Sequence, residues 1–172
     1  MMPSLRQSFA RALLPVWLVT AAWDAACATA LSVFAYRTTA AALWQGVAAT
    51  ALGPSSITRG PAGVAAGLAV HSVVALTWSA LFVAAALSWP ALRRAIRTPG
   101  GVFAVAAIYG PTIWLVMSLM VIPLATGRPP RMGMRWWIQI GAHIPFVSLP
   151  LVFSARRVLG APRTVTRRNI HS

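Results

Sequence analysis

Four long apolar stretches dominate this sequence, and each is long enough to cross a lipid bilayer as one helix. They cover about residues 12–36, 62–89, 101–125 and 136–153. A helix rises about 1.5 Å per residue, so the hydrocarbon layer requires roughly 20 mainly apolar residues. Because the layer holds no water to bind exposed backbone groups, such stretches fold as helices. The sequence therefore predicts an all-α membrane protein with four transmembrane helices.

The composition agrees with a surface that faces lipid. Of the 172 residues, 58% are hydrophobic and only 9% are charged. The net charge is +14 and the 15 basic side chains are all arginines, a balance that raises nucleic acid as a partner. Because these arginines lie between and outside the apolar stretches, we expect them to contact anionic lipid head groups. We expect no nucleic-acid partner.

A fifth apolar segment, Ala40–Leu52, lies between the first and second stretches. It is shorter than a span and contains Gln45 and Gly46, so it predicts an interfacial or re-entrant helix.

Four prolines lie within or at the ends of the later stretches, where a missing backbone donor bends a helix. These prolines predict kinks in the third and fourth spans. They are Pro111, Pro123, Pro145 and Pro150.

The N-terminal stretch imitates a secretory signal peptide, since arginines precede it and Ala28, Thr29 and Ala30 resemble a cleavage site. Asp24 lies inside the would-be apolar region, however, and the apolar run continues through Phe34. We therefore expect this stretch to be retained as a spanning helix. The chain then forms one membrane domain over residues 1–158, followed by a basic tail over residues 159–172 that we expect to be disordered and cytoplasmic.

The arginines beside the spans predict the orientation in the membrane, because cytoplasmic loops carry an excess of basic residues. One side has ten arginines: Arg6, Arg11, Arg93, Arg94, Arg97, Arg156, Arg157, Arg163, Arg167 and Arg168. The opposite side has five: Arg37, Arg59, Arg128, Arg131 and Arg135. Both termini should therefore be cytoplasmic.

Asp24 is the only acidic side chain of the chain, and it lies within the first apolar stretch. An ionised carboxylate facing lipid is costly, so it must face inward and be paired, hydrated or protonated. His71 and His143 lie on the second and fourth spans, on the order of 10 to 14 Å below the outer surface, and Asp24 lies at roughly 18 Å. The three residues form a candidate polar or proton-handling cluster.

Three interpretations of this cluster remain open. It is a structural hydrogen-bonding cluster in a non-enzymatic protein, a protonatable site of a small transporter, proton relay or sensor, or a bis-histidine haem or metal site. Cys27, Met117 and Met120 are possible ligand neighbours, although two histidines alone specify no cofactor and we expect none. We expect no enzymatic activity, because Asp24 is the only side-chain carboxylate, and the adjacent His71 and Ser72 do not face one another on a helix.

Small residues on the second span form a smooth face around Gly63 and Gly67, which are four residues apart. Such spacing allows the backbones of two helices to approach closely. The face serves either inside the bundle or between copies of the chain, so a homo-oligomer or a membrane-protein partner stays possible.

Four further segments run from Gly67 to His71 with Trp78 after it, from Tyr109 and Gly110 through Met117 to Val121–Leu124, from His143 to Pro150, and from Leu43 to Ala48. Together they resemble a family of small, uncharacterised bacterial inner-membrane proteins with four predicted spans. The resemblance implies the same four-span layout in the bacterial inner membrane. It singles out His71, Met117, Pro123 and His143 but implies no established activity.

Overall fold

The structure, a computed structural model, describes residues 5–160, and no strand occurs among them. The helices are α1 (Leu5–Ala30, continued by a π-helical turn over Leu31–Ala35), α2 (Ala40–Leu52), α3 (Pro61–Ser88), α4 (Pro90–Ala95), α5 (Pro99–Thr126) and α6 (Met134–Gly160). Four of them, α1, α3, α5 and α6, are long and apolar enough to cross a membrane. The structure thus has four helices at the places of the predicted spans, and the shorter apolar helix after the first of them.

The helix ends follow from local sequence signals. Thr39 and Thr98 precede α2 and α5, and each side-chain oxygen accepts a hydrogen bond from a backbone N–H of the first turn. Helix α3 begins with Pro61, whose fixed φ suits the first helical position. Helix α5 ends at Gly127, whose φ of 65° is a left-handed conformation that glycine adopts without strain.

The predicted fourth span ended near Phe153, whereas α6 continues to Gly160 and carries Arg156 and Arg157 on its last turns. Long arginine side chains extend toward an interface while their stems cover apolar surface, which allows the helix to continue. Of the predicted tail, residues 161–172 lie outside the described residues.

Helix α1 lies between α3 and α6, and α6 also packs along α5. Buried or half-buried side chains join these helices by hydrogen bonds. Trp17 Nε1 of α1 donates to the Ser72 carbonyl of α3 at 3.0 Å. The Tyr109 hydroxyl of α5 donates to the Trp78 carbonyl of α3 at 2.7 Å. The result is a four-helix bundle.

The apolar core occupies one half of this bundle, at the end that holds the start of α1 and the end of α6. Its fully buried side chains come from α1, α3, α5, α6 and the turn after α4, and include Val16, Val83, Ile96, Leu151 and Val152. The candidate polar cluster lies in the other half. The bundle thus has its apolar core toward one end and its candidate polar cluster toward the other.

The small-residue face of α3 holds the short helix α2 against it. A Cβ atom added to Gly67 would overlap the carbonyl oxygen of Trp44, and one added to Gly63 would overlap the carbonyl oxygen of Ser56. The sequence leaves open whether this face packs inside the bundle or between copies of the chain. In the structure it packs against other residues of the same chain.

Helices α5 and α6 each contain a π-helical turn, at Met117–Val121 and Ile144–Ser148. Each turn precedes a proline, Pro123 or Pro150, that has no N–H to bond the carbonyl four residues earlier. That carbonyl lies within the π turn in both helices. The sequence predicts kinks at these prolines. The structure has π-helical turns there, which are wider than α-helical turns.

Candidate functional site

Asp24 lies on α1, near the level at which α3 presents His71. The Oδ2 atom of Asp24 is 3.8 Å from Nε2 of His71, and the two side chains are 25% and 15% exposed. This distance fits an ion pair and is longer than a direct hydrogen bond. The structure therefore brings the only acidic side chain of the chain beside one of the two histidines that the sequence singled out.

The imidazole of His71 is held by two further contacts. Nε2 lies 3.3 Å from the carbonyl oxygen of Ala21, one turn before Asp24 on α1. A carbonyl oxygen only accepts, so Nε2 carries the hydrogen in this contact. The ring also packs edge-on against Trp44 of α2, with 5.2 Å between the ring centroids. His71 thus joins α1, α2 and α3.

The second histidine, His143, lies on α6. Its Nδ1 lies 2.7 Å from the carbonyl oxygen of Gln139, one turn earlier, and donates to it. Its ring packs against the indole of Trp114 on α5, with 5.0 Å between the centroids. In the neutral ring this arrangement leaves Nε2 as the acceptor.

Asp24 and His143 line one small cavity of about 20 Å³. A cavity of this volume holds about one water molecule, provided that polar groups surround it. The polar lining residues are Asp24, Cys27, Gln139 and His143, and apolar residues such as Leu31 and Phe146 form the rest. We call this the central cavity. One water there has donors and acceptors within the lining on two helices, α1 and α6.

A larger cavity of about 410 Å³ lies beside the connection between α5 and α6. We call it the loop cavity. It is lined by Arg128, Arg131, Arg135 and Tyr36, together with residues of α5 and α6 that include Trp114, Ser118, Trp136 and Gln139. The guanidinium carbon of Arg135 lies 4.5 Å from the centroid of the Tyr36 ring. Gln139 lines both cavities and therefore separates the loop cavity from the central cavity.

The candidate ligand neighbours take different places. Cys27 lines the central cavity, three residues after Asp24. Met117 begins the π turn of α5 and is half-buried, and Met120 is 57% exposed, so the methionines are not part of the cavity lining. Among residues 5–160, no group of three or more His, Cys, Asp or Glu side chains is close enough to hold a metal ion.

Sequence reasoning missed Gln139, Trp44 and Trp114. Gln139 precedes His143 by four residues, a spacing that places both on one helical face, so this partner was detectable from the sequence. Trp44 and Trp114 reach the histidines from other helices, and no local spacing indicates such contacts.

Comparison of the chain with models of protein families, with curated proteins and with solved structures finds no match. The function is therefore inferred from the chemistry of the site itself.

Proposed function

We propose that this chain is a non-enzymatic, multi-pass membrane protein that binds and releases a proton at its Asp24, His71 and His143 cluster, as a proton relay or a pH sensor. One observation carries the proposal. The single acidic side chain lies 3.8 Å from one histidine and shares a cavity the size of one water molecule with the other.

The energetics of a charge inside an apolar bundle favour this function. An ionised carboxylate that is removed from water must be paired, hydrated or neutralised by a proton. Histidine changes its charge near neutral pH more readily than any other side chain. A carboxylate that pairs with one imidazole and shares a cavity with another therefore has a charge state that depends on pH, and a water molecule in that cavity would give the proton a path.

Access to the cluster comes from the connection between α5 and α6. The loop cavity borders on Gln139, and the central cavity begins on the other side of the same residue. The apolar core lies between the cluster and the opposite end of the bundle. A proton thus has a short route from the loop cavity, whereas the apolar core blocks a route from the opposite end.

The same proposal covers location and orientation. It places the chain in a bacterial inner membrane with both termini in the cytoplasm, and the arginine asymmetry supports this orientation. In that orientation the loop cavity opens outward. Fusion of green fluorescent protein or alkaline phosphatase to the C-terminus tests this. We expect fluorescence from the first fusion and no activity from the second; active phosphatase would reverse the direction of access.

Infrared difference spectroscopy tests the proton site directly. Asp24 is the only acidic side chain, so the C=O stretch of a protonated side-chain carboxyl group has one source. The purified protein in lipid nanodiscs is titrated with acid and base beside its Asp24→Asn variant, and the C-terminal carboxyl group cancels between the two. We expect a band that depends on pH and is absent from the variant.

Histidine variants complete the test. His71→Gln and His143→Gln should each move the midpoint of the Asp24 titration, because each removes a neighbour of the carboxyl group. A band that stays constant over the whole pH range in which the protein is folded would refute a proton-binding function. Proton flux into liposomes that contain a pH-sensitive dye then separates a relay, which conducts, from a sensor, which does not.

A structural role is the second candidate, and the contacts of His71 favour it. This side chain joins three helices through the Ala21 carbonyl, the Trp44 ring and Asp24. If Asp24→Asn and His71→Gln lower the melting temperature while the infrared band of Asp24 does not titrate, the cluster serves helix packing. The haem alternative requires space for a macrocycle, whereas the cavity beside His143 measures about 20 Å³.

A further inference from the structure

A cavity of about 1030 Å³ lies at the opposite end of the bundle from the loop cavity. Five arginines line it: Arg11 of α1, Arg93 of α4, Arg97 after α4, and Arg156 and Arg157 of α6. We call it the basic cavity. Arginines from α1, from the segment around α4 and from α6 thus line the same cavity.

Nothing in the sequence can neutralise this charge with a side-chain carboxylate. The only acidic side chain, Asp24, lies 13 residues beyond Arg11 on α1, or about 20 Å along the helix. Residues 161–172 add further arginines and no acidic side chain. Five guanidinium groups around one cavity repel one another, so an anion bound among them would stabilise the arrangement.

Guanidinium groups indicate which anion fits. Their planar donors bind the oxygens of phosphate in pairs, which a point charge does not. One of the five is already oriented, because the guanidinium carbon of Arg157 lies 4.5 Å from the centroid of the Phe153 ring. The volume exceeds what a single phosphate needs and leaves room for attached groups.

The remaining lining residues indicate a ligand that is both anionic and apolar. They include Ala12, Leu87, Ile96 and Val158, which belong to the apolar core or pack against it. The cavity is therefore basic on its arginine side and apolar toward the core. It also lies at an end of four helices that are long enough to span a membrane, and the ends of such helices are where lipid head groups are expected.

We propose that the basic cavity is a specific binding site for the phosphate head group of an anionic phospholipid, held between the ends of α1 and α6 and the segment around α4. This site goes beyond diffuse attraction between arginines and a charged membrane, because named side chains from three segments converge on one head group.

Native mass spectrometry of the detergent-purified protein tests the site, with phosphatidylglycerol as the probe and phosphatidylcholine as the neutral comparison. The site variant carries Arg93→Gln and Arg156→Gln, two half-buried arginines of the cavity. The control variant carries Arg37→Gln and Arg59→Gln, which are exposed and lie outside the lining. Both variants lose the same charge.

We expect phosphatidylglycerol to bind the wild-type chain and the control variant equally, and the site variant at least about tenfold more weakly, since charge-assisted hydrogen bonds to phosphate are lost. Equal loss in both variants would show attraction by net charge alone and overturn the proposal. Arg156→Lys keeps the charge but not the paired donors. This single variant should weaken the binding of phosphatidylglycerol too. It replaces the double variant in the test if the double variant does not fold.

A competition experiment identifies the source of the phosphate. Inorganic pyrophosphate is added to the complex of protein and phosphatidylglycerol. Retention of the lipid supports a lipid site. Displacement of phosphatidylglycerol when the pyrophosphate concentration is below that of the lipid would overturn the lipid assignment. The ligand would then be a soluble phosphate compound that binds the same arginines.

Discussion

Substitution of Gly67 by alanine should loosen helix α2 from α3. A Cβ atom at this position would lie 2.6 Å from the carbonyl carbon and 3.1 Å from the Cα of Trp44, besides overlapping the carbonyl oxygen. These are backbone atoms of another helix, so no side-chain rotation relieves the overlap. Helix α2 must move away, and Trp44 with it.

The expected cost follows from comparison with a second glycine. Gly46 lies in α2, where an added Cβ would meet nothing within 4 Å. Both substitutions gain up to about 1 kcal/mol of helix propensity. Only Gly67→Ala adds overpacking, which costs about 1–3 kcal/mol. The difference in unfolding free energy between the two variants is therefore about 1–3 kcal/mol, with Gly67→Ala the less stable.

Thermal unfolding of the wild-type protein and both variants in one detergent measures this difference. Soluble chains of similar size shift their melting temperature by roughly 2–4 °C per kcal/mol, so Gly67→Ala should melt several degrees below Gly46→Ala. Because Trp44 contacts His71, Gly67→Ala should also move the titration midpoint of Asp24. Equal melting temperatures for the two variants would show that α2 does not rest on Gly67.

Two further variants test contacts between α5 and α6. Trp136→Phe removes a buried hydrogen bond of 3.1 Å from Nε1 to the Ser118 hydroxyl and should cost about 1 kcal/mol in unfolding free energy, whereas Trp137→Phe, at a side chain that is 61% exposed, should cost little. Ser148→Ala removes a 2.7 Å hydrogen bond to the Ala106 carbonyl and should cost about as much as Trp136→Phe. Chemical denaturation in detergent measures the unfolding free energy of Trp136→Phe, Trp137→Phe and Ser148→Ala. Equal losses for the two tryptophan variants would contradict the hydrogen bond from Trp136 to Ser118.

Some contacts of the site were within reach of sequence reasoning because they depend on spacing along one helix. Asp24 and Cys27 share a face, and so do Gln139 and His143, as the helical repeat requires. The partner of Asp24 was not within reach. His71 and His143 were equivalent candidates, and only the relative rotation and level of α3 and α6 place His71 at 3.8 Å and His143 across a cavity.

The sequence by itself determined the number and approximate limits of the long helices, because transfer of apolar side chains out of water depends on the length and composition of each stretch. It also determined that one carboxylate lies among them. The tertiary structure decided which faces meet. Helices that are apolar on every side carry no periodic signal for their inward face. The packing of α2 on Gly67 and the convergence of arginines from three segments on the basic cavity therefore depend on contacts between residues that are distant in the chain.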